Sequence, residues 1–158
     1  MADLLVKLYD LPDHRALCEP LARSGIEIKR AIAPEKHHLL AWVEDAFSKT
    51  WASECDAAFA HSPCSCFIAV RNSSIVGFAC YDATCKGFFG PIGVDASMRK
   101  AGLGRALAVR TFEAMREAGY GYAIVGWAAS TEFFNRIVGA SIIPGSEPGI
   151  YRNMLKGK

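Results

Sequence analysis

A chain of 158 residues, 51% apolar and 22% charged, has the length of one domain and enough apolar surface for a proper core. A net charge of +2, with no basic run beyond Arg99-Lys100, gives no footprint for nucleic acid, and no apolar stretch is long enough to span a membrane. The opening Met1-Ala2-Asp3-Leu4-Leu5 carries an acid and no basic leader region, so a cytoplasmic protein is expected.

In such a compartment the six cysteines, Cys18, Cys55, Cys64, Cys66, Cys80 and Cys85, are expected to be reduced thiols packed as small hydrophobes. A zinc shell from Cys64-x-Cys66 and Cys80-x4-Cys85 is the alternative. Its spacings are not the two-residue knuckles usual for zinc, and three of the four thiols fall in strand-like sequence, so no metal is expected.

Residues 4–11 alternate as a strand ended by Pro12, and Asp13 is placed to cap a helix through about Arg23 that Gly25 closes. We expect this opening segment, residues 1–25, to be an extension acting as an added edge or lid. Residues 26–33 alternate again as a half-buried strand within a single domain of residues 1–158. Two helices follow, from Pro34 to about Phe47 and from about Thr50 to Ala60. In the second, Trp51 and Glu54 stand three apart on one face and could offer a ring and a carboxylate to an amine, unless Trp51 is core and Glu54 solvated. His37, His38 and His61 have no partner pattern and read as surface residues.

Residues 66–71 and 74–82 flank an Arg71-Asn72-Ser73-Ser74 turn, which is a hairpin signal. A third antiparallel strand, 87–94, carries Gly90, Pro91 and Gly93, residues that mark a bulge or a close approach by another backbone or ligand. Beyond it Arg99-x-x-Gly102-x-Gly104 leads into a helix to about Ala118. There Leu107, Ala108, Phe112, Met115 and Ala118 make one buried stripe opposite Arg105, Arg110, Glu113, Arg116 and Glu117, and Gly119 stops the helix. The unpaired first-turn N–H groups, the positive end of the helix dipole and the charges of Arg99, Lys100 and Arg105 suit a diphosphate. This is not a Walker loop, which needs Gly-Lys-Ser/Thr, nor a dinucleotide fingerprint, because Leu107 stands where the third small residue belongs. Residues 122–127 read as a buried parallel strand completing a right-handed crossover, 130–138 as a short helix closed by Gly139-Ala140, and 150–155 as a last strand.

The loop Arg99-x-x-Gly102-x-Gly104 after a strand ending in Val94, with these neighbours in this order, resembles the GNAT superfamily of N-acetyltransferases from about Ile26 to Leu155. That resemblance implies an α/β fold, an α+β mixed sheet mostly antiparallel with one splayed parallel strand pair. It also implies acetyl-CoA as cofactor and an amine of a small molecule, amino acid or peptide as acceptor. Cofactor contacts are then expected from Ile92, Gly93, Val94, Arg99, Lys100, Ala101, Gly102, Leu103, Gly104 and Arg105, with a backbone N–H of Gly93 or Val94 polarising the thioester carbonyl. The helices over 34–60 would border the acceptor, and a homodimer through an edge strand is possible, with the added N-terminal strand serving or blocking it.

Phe133-Phe134-Asn135-Arg136-Ile137-Val138-Gly139-Ala140 resembles the family segment Phe-Tyr-Glu-Lys-x-x-Gly-Ala, whose tyrosine sits beside the CoA sulfur. Phe134 takes that place and has no proton to give. Trp127 stands near a position where the family often has asparagine. Tyr151, Tyr81 or water could replace the missing acid, while Glu54, Asp82 and Glu132 are candidates for the base. The alternative reading, which Phe134 sustains, is an acyl-CoA sensor that binds without turnover; a purely structural partner-binding domain would bind no CoA.

Overall fold

The alternating segments pair into one sheet of seven strands with helices on both faces, as the computed structural model describes over residues 1–157. In chain order the strands are β1 (Leu4–Lys7), β2 (Ile26–Arg30), β3 (Cys66–Arg71), β4 (Ser74–Tyr81), β5 (Phe88–Val94), β6 (Tyr122–Val125) and β7 (Ser141–Ile142). The helices are α1 (His14–Arg23), α2 (Lys36–Ala46), α3 (Lys49–Ala58), α4 (Leu103–Glu117) and α5 (Thr131–Val138). The spatial order is β2-β3-β4-β5-β6-β1-β7, antiparallel throughout except for the β5–β6 pair. Among the described residues no helix is long and apolar enough to cross a membrane.

Local chemistry sets most boundaries. Asp13 accepts the Arg15 N–H at 2.9 Å and starts α1, and Ser130 accepts the Phe133 N–H at 3.2 Å and starts α5. Asn72 and Ser73, both at positive φ (50° and 59°), make the two-residue turn that joins β3 to β4 in the handedness the strand twist requires. Two cores result. One packs α1, α4 and α5 on the first face through Leu4, Leu107, Phe112 and Phe134; the other packs α2 and α3 on the opposite face through Leu39, Val43, Phe78 and the buried thiols Cys55, Cys66 and Cys80. Cys80 and Cys55 lie Sγ to Sγ at 3.8 Å inside that second core.

Several expectations need correcting. The opening strand stops at Lys7, and a 3-10 turn over Leu8–Asp10 takes the rest of its segment. It is neither an edge nor a lid: β1 lies inside the sheet, pairing Leu4 with Val125 on one side and Ile142 on the other, so it offers no edge to a second copy. The sheet's edges are β2 and the two-residue β7.

The strand expected over 150–155 is absent, and a 3-10 turn over Gly149–Tyr151 stands there, because β7 at Ser141–Ile142 already occupies the place beside β1. β2 ends at Arg30 rather than Ala33, where Ala33-Pro34-Glu35 turns into α2. β6 is shorter than expected and not buried throughout, with Tyr122 51% and Trp127 45% exposed. α4 is buried on more than one stripe, since it is packed between α1 and the sheet; Arg110 lies with its guanidinium 4.5 Å from the Phe67 ring centroid, and Ala118 is exposed at the cap.

Because Leu4 is fully buried in an interior strand, Leu4→Ala is expected to cost about 3 kcal/mol. A lowered urea midpoint with an unchanged slope checks this; a wild-type midpoint would mean that the opening strand is dispensable.

Candidate functional site

The parallel pair at the centre of the sheet is joined for only two registers, Phe88–Ile124 and Phe89–Val125. From Gly90 onward, at φ +117° where only glycine is at ease, β5 bends away from β6. The β4–β5 register slips between Ala79 and Tyr81 at the same place. That slip changes the pleat: Phe89 packs with Phe112 and Phe134, and beyond the bulge Ile92 and Val94 turn to that same face while Gly93 turns to the other.

The ladder also decides which backbone groups are free. Asp95 donates its N–H to the Val76 carbonyl at 2.9 Å, which makes Phe78–Gly93 the next hydrogen-bonded pair. By the same alternation Ile92 and Val94 point their N–H and C=O groups away from β4, into the gap that β6 has left. Of the two candidates for holding an acyl carbonyl, Val94 therefore has its N–H facing the gap, whereas that of Gly93 is turned into the sheet. Gly93 is glycine for another reason, since a Cβ there would come 2.5 Å from the Phe47 ring and 2.8 Å from that of Phe78.

At the far end of the gap stands the head of α4. Gly102, at φ +81°, is its N-cap, and the first backbone bond into the helix runs from the Ala106 N–H to the Gly102 carbonyl. The N–H groups of Leu103, Gly104 and Arg105 consequently have no backbone acceptor. Arg99, Lys100, Ala101 and Arg105 are exposed, and none of the three cations makes an ion pair among the described residues. The Leu103 side chain is core, so only its N–H can serve a ligand. Gly104 is open on the side of the gap: a Cβ there would meet Val94 at 3.7 Å and Phe133 at 3.8 Å, ordinary contacts that the fold itself would tolerate.

Beside the gap lies a cavity of about 710 Å³. One wall is the divergent strand pair, with Phe89, Pro91 and Ile92 of β5, the segment from Val125 to Ser130, and Phe134 of α5. The facing wall is α3, which contributes Trp51, Ser53, Glu54 and Ala57, and the rim comes from Ala83–Cys85 and from Ile150, Tyr151 and Met154. The structure thus brings Glu54, Tyr151, Ile92 and Phe134 to one cavity, and leaves Gly93, Val94 and the residues from Arg99 to Arg105 outside its walls.

Trp51 and Glu54 share a face as the spacing predicts, and both line the cavity; Trp51 leans on Phe47 with ring centroids 5.1 Å apart. Thr84 donates its hydroxyl hydrogen to the Glu54 carboxylate. Burial outweighs that bond and pushes the Glu54 carboxyl above the usual carboxylate range. Tyr151 stacks on Trp127, with centroids 4.9 Å apart, and burial, with the nearby Glu54 carboxylate second, pushes its phenol up to about 12.

The other candidates are occupied elsewhere. The Asp82 carboxylate accepts the Tyr120 hydroxyl at 2.9 Å and the Gly87 N–H at 2.7 Å, holding the β4–β5 connection to the end of α4. Tyr81 is buried and accepts a bond from Arg30 at 2.9 Å, and Glu132 is exposed on α5 away from the cavity. His37 and His38 are exposed and lie ring to ring, and the exposed His61 meets the Asp82 carbonyl at 2.9 Å.

Sequence reasoning missed Thr84, Cys85, Trp127 and Met154 as wall residues. Trp127 is put there from the opening strand: the buried Asp3 accepts the Trp127 N–H at 2.8 Å, and the Ala128 N–H donates to the Ala2 carbonyl at 3.1 Å.

Comparison with family models matches residues 36–139 to the acetyltransferase (GNAT) family. Comparison with curated proteins finds no match. Among solved structures, the glucosamine N-acetyltransferase region of a fungal multi-domain β-N-acetylglucosaminidase superposes at TM-score 0.73 with 14% identity, covering 90% of this chain and 19% of that one. A GCN5-related N-acetyltransferase from Sphaerobacter thermophilus gives 0.69 with 18% identity, over 90% and 48% of the two chains. An acetyltransferase of the family from Brucella melitensis, in complex with acetyl-CoA, gives 0.57 with 17% identity, over 70% and 80%. The chain thus spans half or less of the first two of these neighbours, and at such identities the likeness is one of fold. The family match extends over most of the chain, from the start of α2 through the gap and the α4 turn to the end of α5, and the protein belongs to the GNAT family of acetyltransferases, whose acyl donor is acetyl-CoA.

Proposed function

We propose that this chain binds acetyl-CoA across the β5–β6 gap and passes the acetyl group directly to a primary amine in the adjoining cavity. The observation that carries the reading is the coincidence of three features: a parallel pair that parts after two registers, backbone groups of Ile92 and Val94 turned into the opening, and unpaired N–H groups at the head of α4. These fit a donor that is anionic at one end and amide-bearing along its arm. The N–H groups of Leu103, Gly104 and Arg105, with the side chains of Arg99, Lys100 and Arg105, would hold its diphosphate. Ile92 and Val94 would pair with the arm as a further strand would, and the Val94 N–H would meet the thioester carbonyl oxygen. When bound, acetyl-CoA supplies an acyl carbon activated by a thiolate leaving group.

The chain's own part is proton management. An alkyl amine with a pKa near 10 is neutral in only about one molecule in a thousand at pH 7, so a base must remove its proton. Glu54, half-buried on the acceptor wall with its carboxyl pushed up, is better matched to that task than an ordinary surface carboxylate. Tyr151, protonated at any working pH, would return a proton to the departing sulfur, the role Phe134 cannot fill. The second reading, an acyl-CoA sensor, is favoured by Phe134 alone. Acetyl-CoA binding without any thiol release across an amine panel would establish it.

Three outcomes test the assignment. Gly104→Ala should keep or slightly raise stability, as alanine does in a helix, yet weaken acetyl-CoA by about ten- to a hundredfold in calorimetry, because the added methyl would hold the diphosphate off the N–H groups of the turn; unchanged affinity would remove the diphosphate from this turn. Glu54→Gln should lower kcat/KM by about a hundredfold and abolish the acid limb of its pH profile. Because burial raises the folded-state pKa, the ionised carboxylate disfavours folding as pH rises through that value, so Glu54→Gln should also raise Tm at pH 8 and not at pH 4. Tyr151→Phe should reduce kcat about tenfold, because a thiol of pKa about 8.5 leaves tolerably unaided, and Phe134→Tyr in that background should restore part of the loss. A pair of variants with wild-type kcat would exclude both rings from proton delivery.

A further inference from the structure

Taking the cavity as the place where the amine meets the thioester, which is the reading just proposed, the wall chemistry narrows the acceptor further. Among the described residues lining it there is no lysine, arginine or histidine, and Glu54 is the one carboxylate. A carboxylate or phosphate on the acceptor would enter a half-buried space with no cation to meet it and a like charge already present. An ammonium group finds Glu54 and, in the same wall, the rings of Trp51, Trp127 and Tyr151.

Hydroxyl recognition is equally restricted. Five side-chain hydroxyls line the wall, those of Thr50, Ser53, Thr84, Ser130 and Tyr151; Thr84 has already given its proton to Glu54, and Ser130 accepts the first-turn N–H of α5 with its own proton still to give. The rest of the acceptor side is apolar or weakly polar: Ala57, Ala83, Ile150, Met154 and the free thiol of Cys85. A sugar ring would set most of its hydroxyls against a wall in which apolar and aromatic side chains predominate.

We infer that the acceptor is a small hydrophobic primary amine, aryl or alkyl, that carries one positive charge and no anionic group, with Glu54 selecting its charge and Trp51, Trp127 and Tyr151 its apolar body. Free amino acids and amino sugars are thereby disfavoured. The volume of about 710 Å³ suits a ligand of that size beside the acyl end of the donor.

The test uses the full chain and four probes: 2-phenylethylamine, phenylalanine, phenylalaninamide and glucosamine. Each is titrated against tryptophan fluorescence, which Trp51 and Trp127 report from the wall, with and without CoA, and each is assayed for kcat/KM with acetyl-CoA. Phenylethylamine is expected to quench and to be acetylated, phenylalanine to be weaker in both by at least about a hundredfold, phenylalaninamide to recover most of that loss, and glucosamine to do neither. Glu54→Gln should remove the advantage of phenylethylamine over phenylalanine in the fluorescence titration. The inference is overturned if phenylalanine or glucosamine matches phenylethylamine, or if no amine binds. A parallel calorimetric titration with acetyl-CoA separates the two levels. The expected order of amines without acetyl-CoA binding would sink the transfer reading and keep the amine class, and acetyl-CoA binding with the wrong order would do the reverse.

Discussion

Two registers of parallel pairing hold the middle of this sheet together, and the proposed donor site depends on their stopping where they do. A strand that parts from its neighbour leaves unpaired backbone groups, which in a sealed interior would be costly. Here the gap opens onto a cavity and ends at a helix head that also has donors to spare. The fold tolerates this defect because the far side of β5 is secured, with Phe78 paired to Gly93 and Gly77 to Val94, and because Phe89 is stacked on Phe112 at 4.2 Å. A continuous sheet at this point would be more stable and would have no place for a pantetheine arm.

The electrostatic arrangement divides along the same line. Positive charge is gathered at the α4 turn, exposed and without ion-pair partners among the described residues, where it can meet a polyanion. The cavity at the other end of the gap has one carboxylate and a protonated phenol, both displaced upward by burial. A donor with its charge at one end and an acceptor with the opposite charge would thus enter from opposite sides without meeting each other's counter-ions.

Much of this was legible in the residues. The pattern of Gly90, Pro91 and Gly93 marks the irregular strand, Gly102 and Gly104 mark the helix head, and the three-residue step from Trp51 to Glu54 puts both on one face. Each of these is a local rule of backbone or helix geometry. What the sequence hid was long-range. Nothing in Leu4–Lys7 says that it inserts between β6 and β7, a choice settled by which strands still lack a partner once the sheet is built. The 150–155 segment reads as a strand by composition and loses that role because the position is already filled. Thr84 reaches Glu54 across 30 positions, a contact no spacing rule encodes. Likewise, only the ladder phase distinguishes the Val94 amide from that of Gly93.

The crowding around Gly93 has a mechanical consequence. Trp51 of the cavity wall rests on Phe47, and Phe47 rests on the bare α-carbon of Gly93 in β5, with Phe78 closing the triangle. Close packing of these rings braces α3 against β5 through Phe47. Any closure over bound reactants therefore falls to the turn bearing Tyr151, since Thr84 ties the Ala83–Cys85 rim to Glu54 of α3.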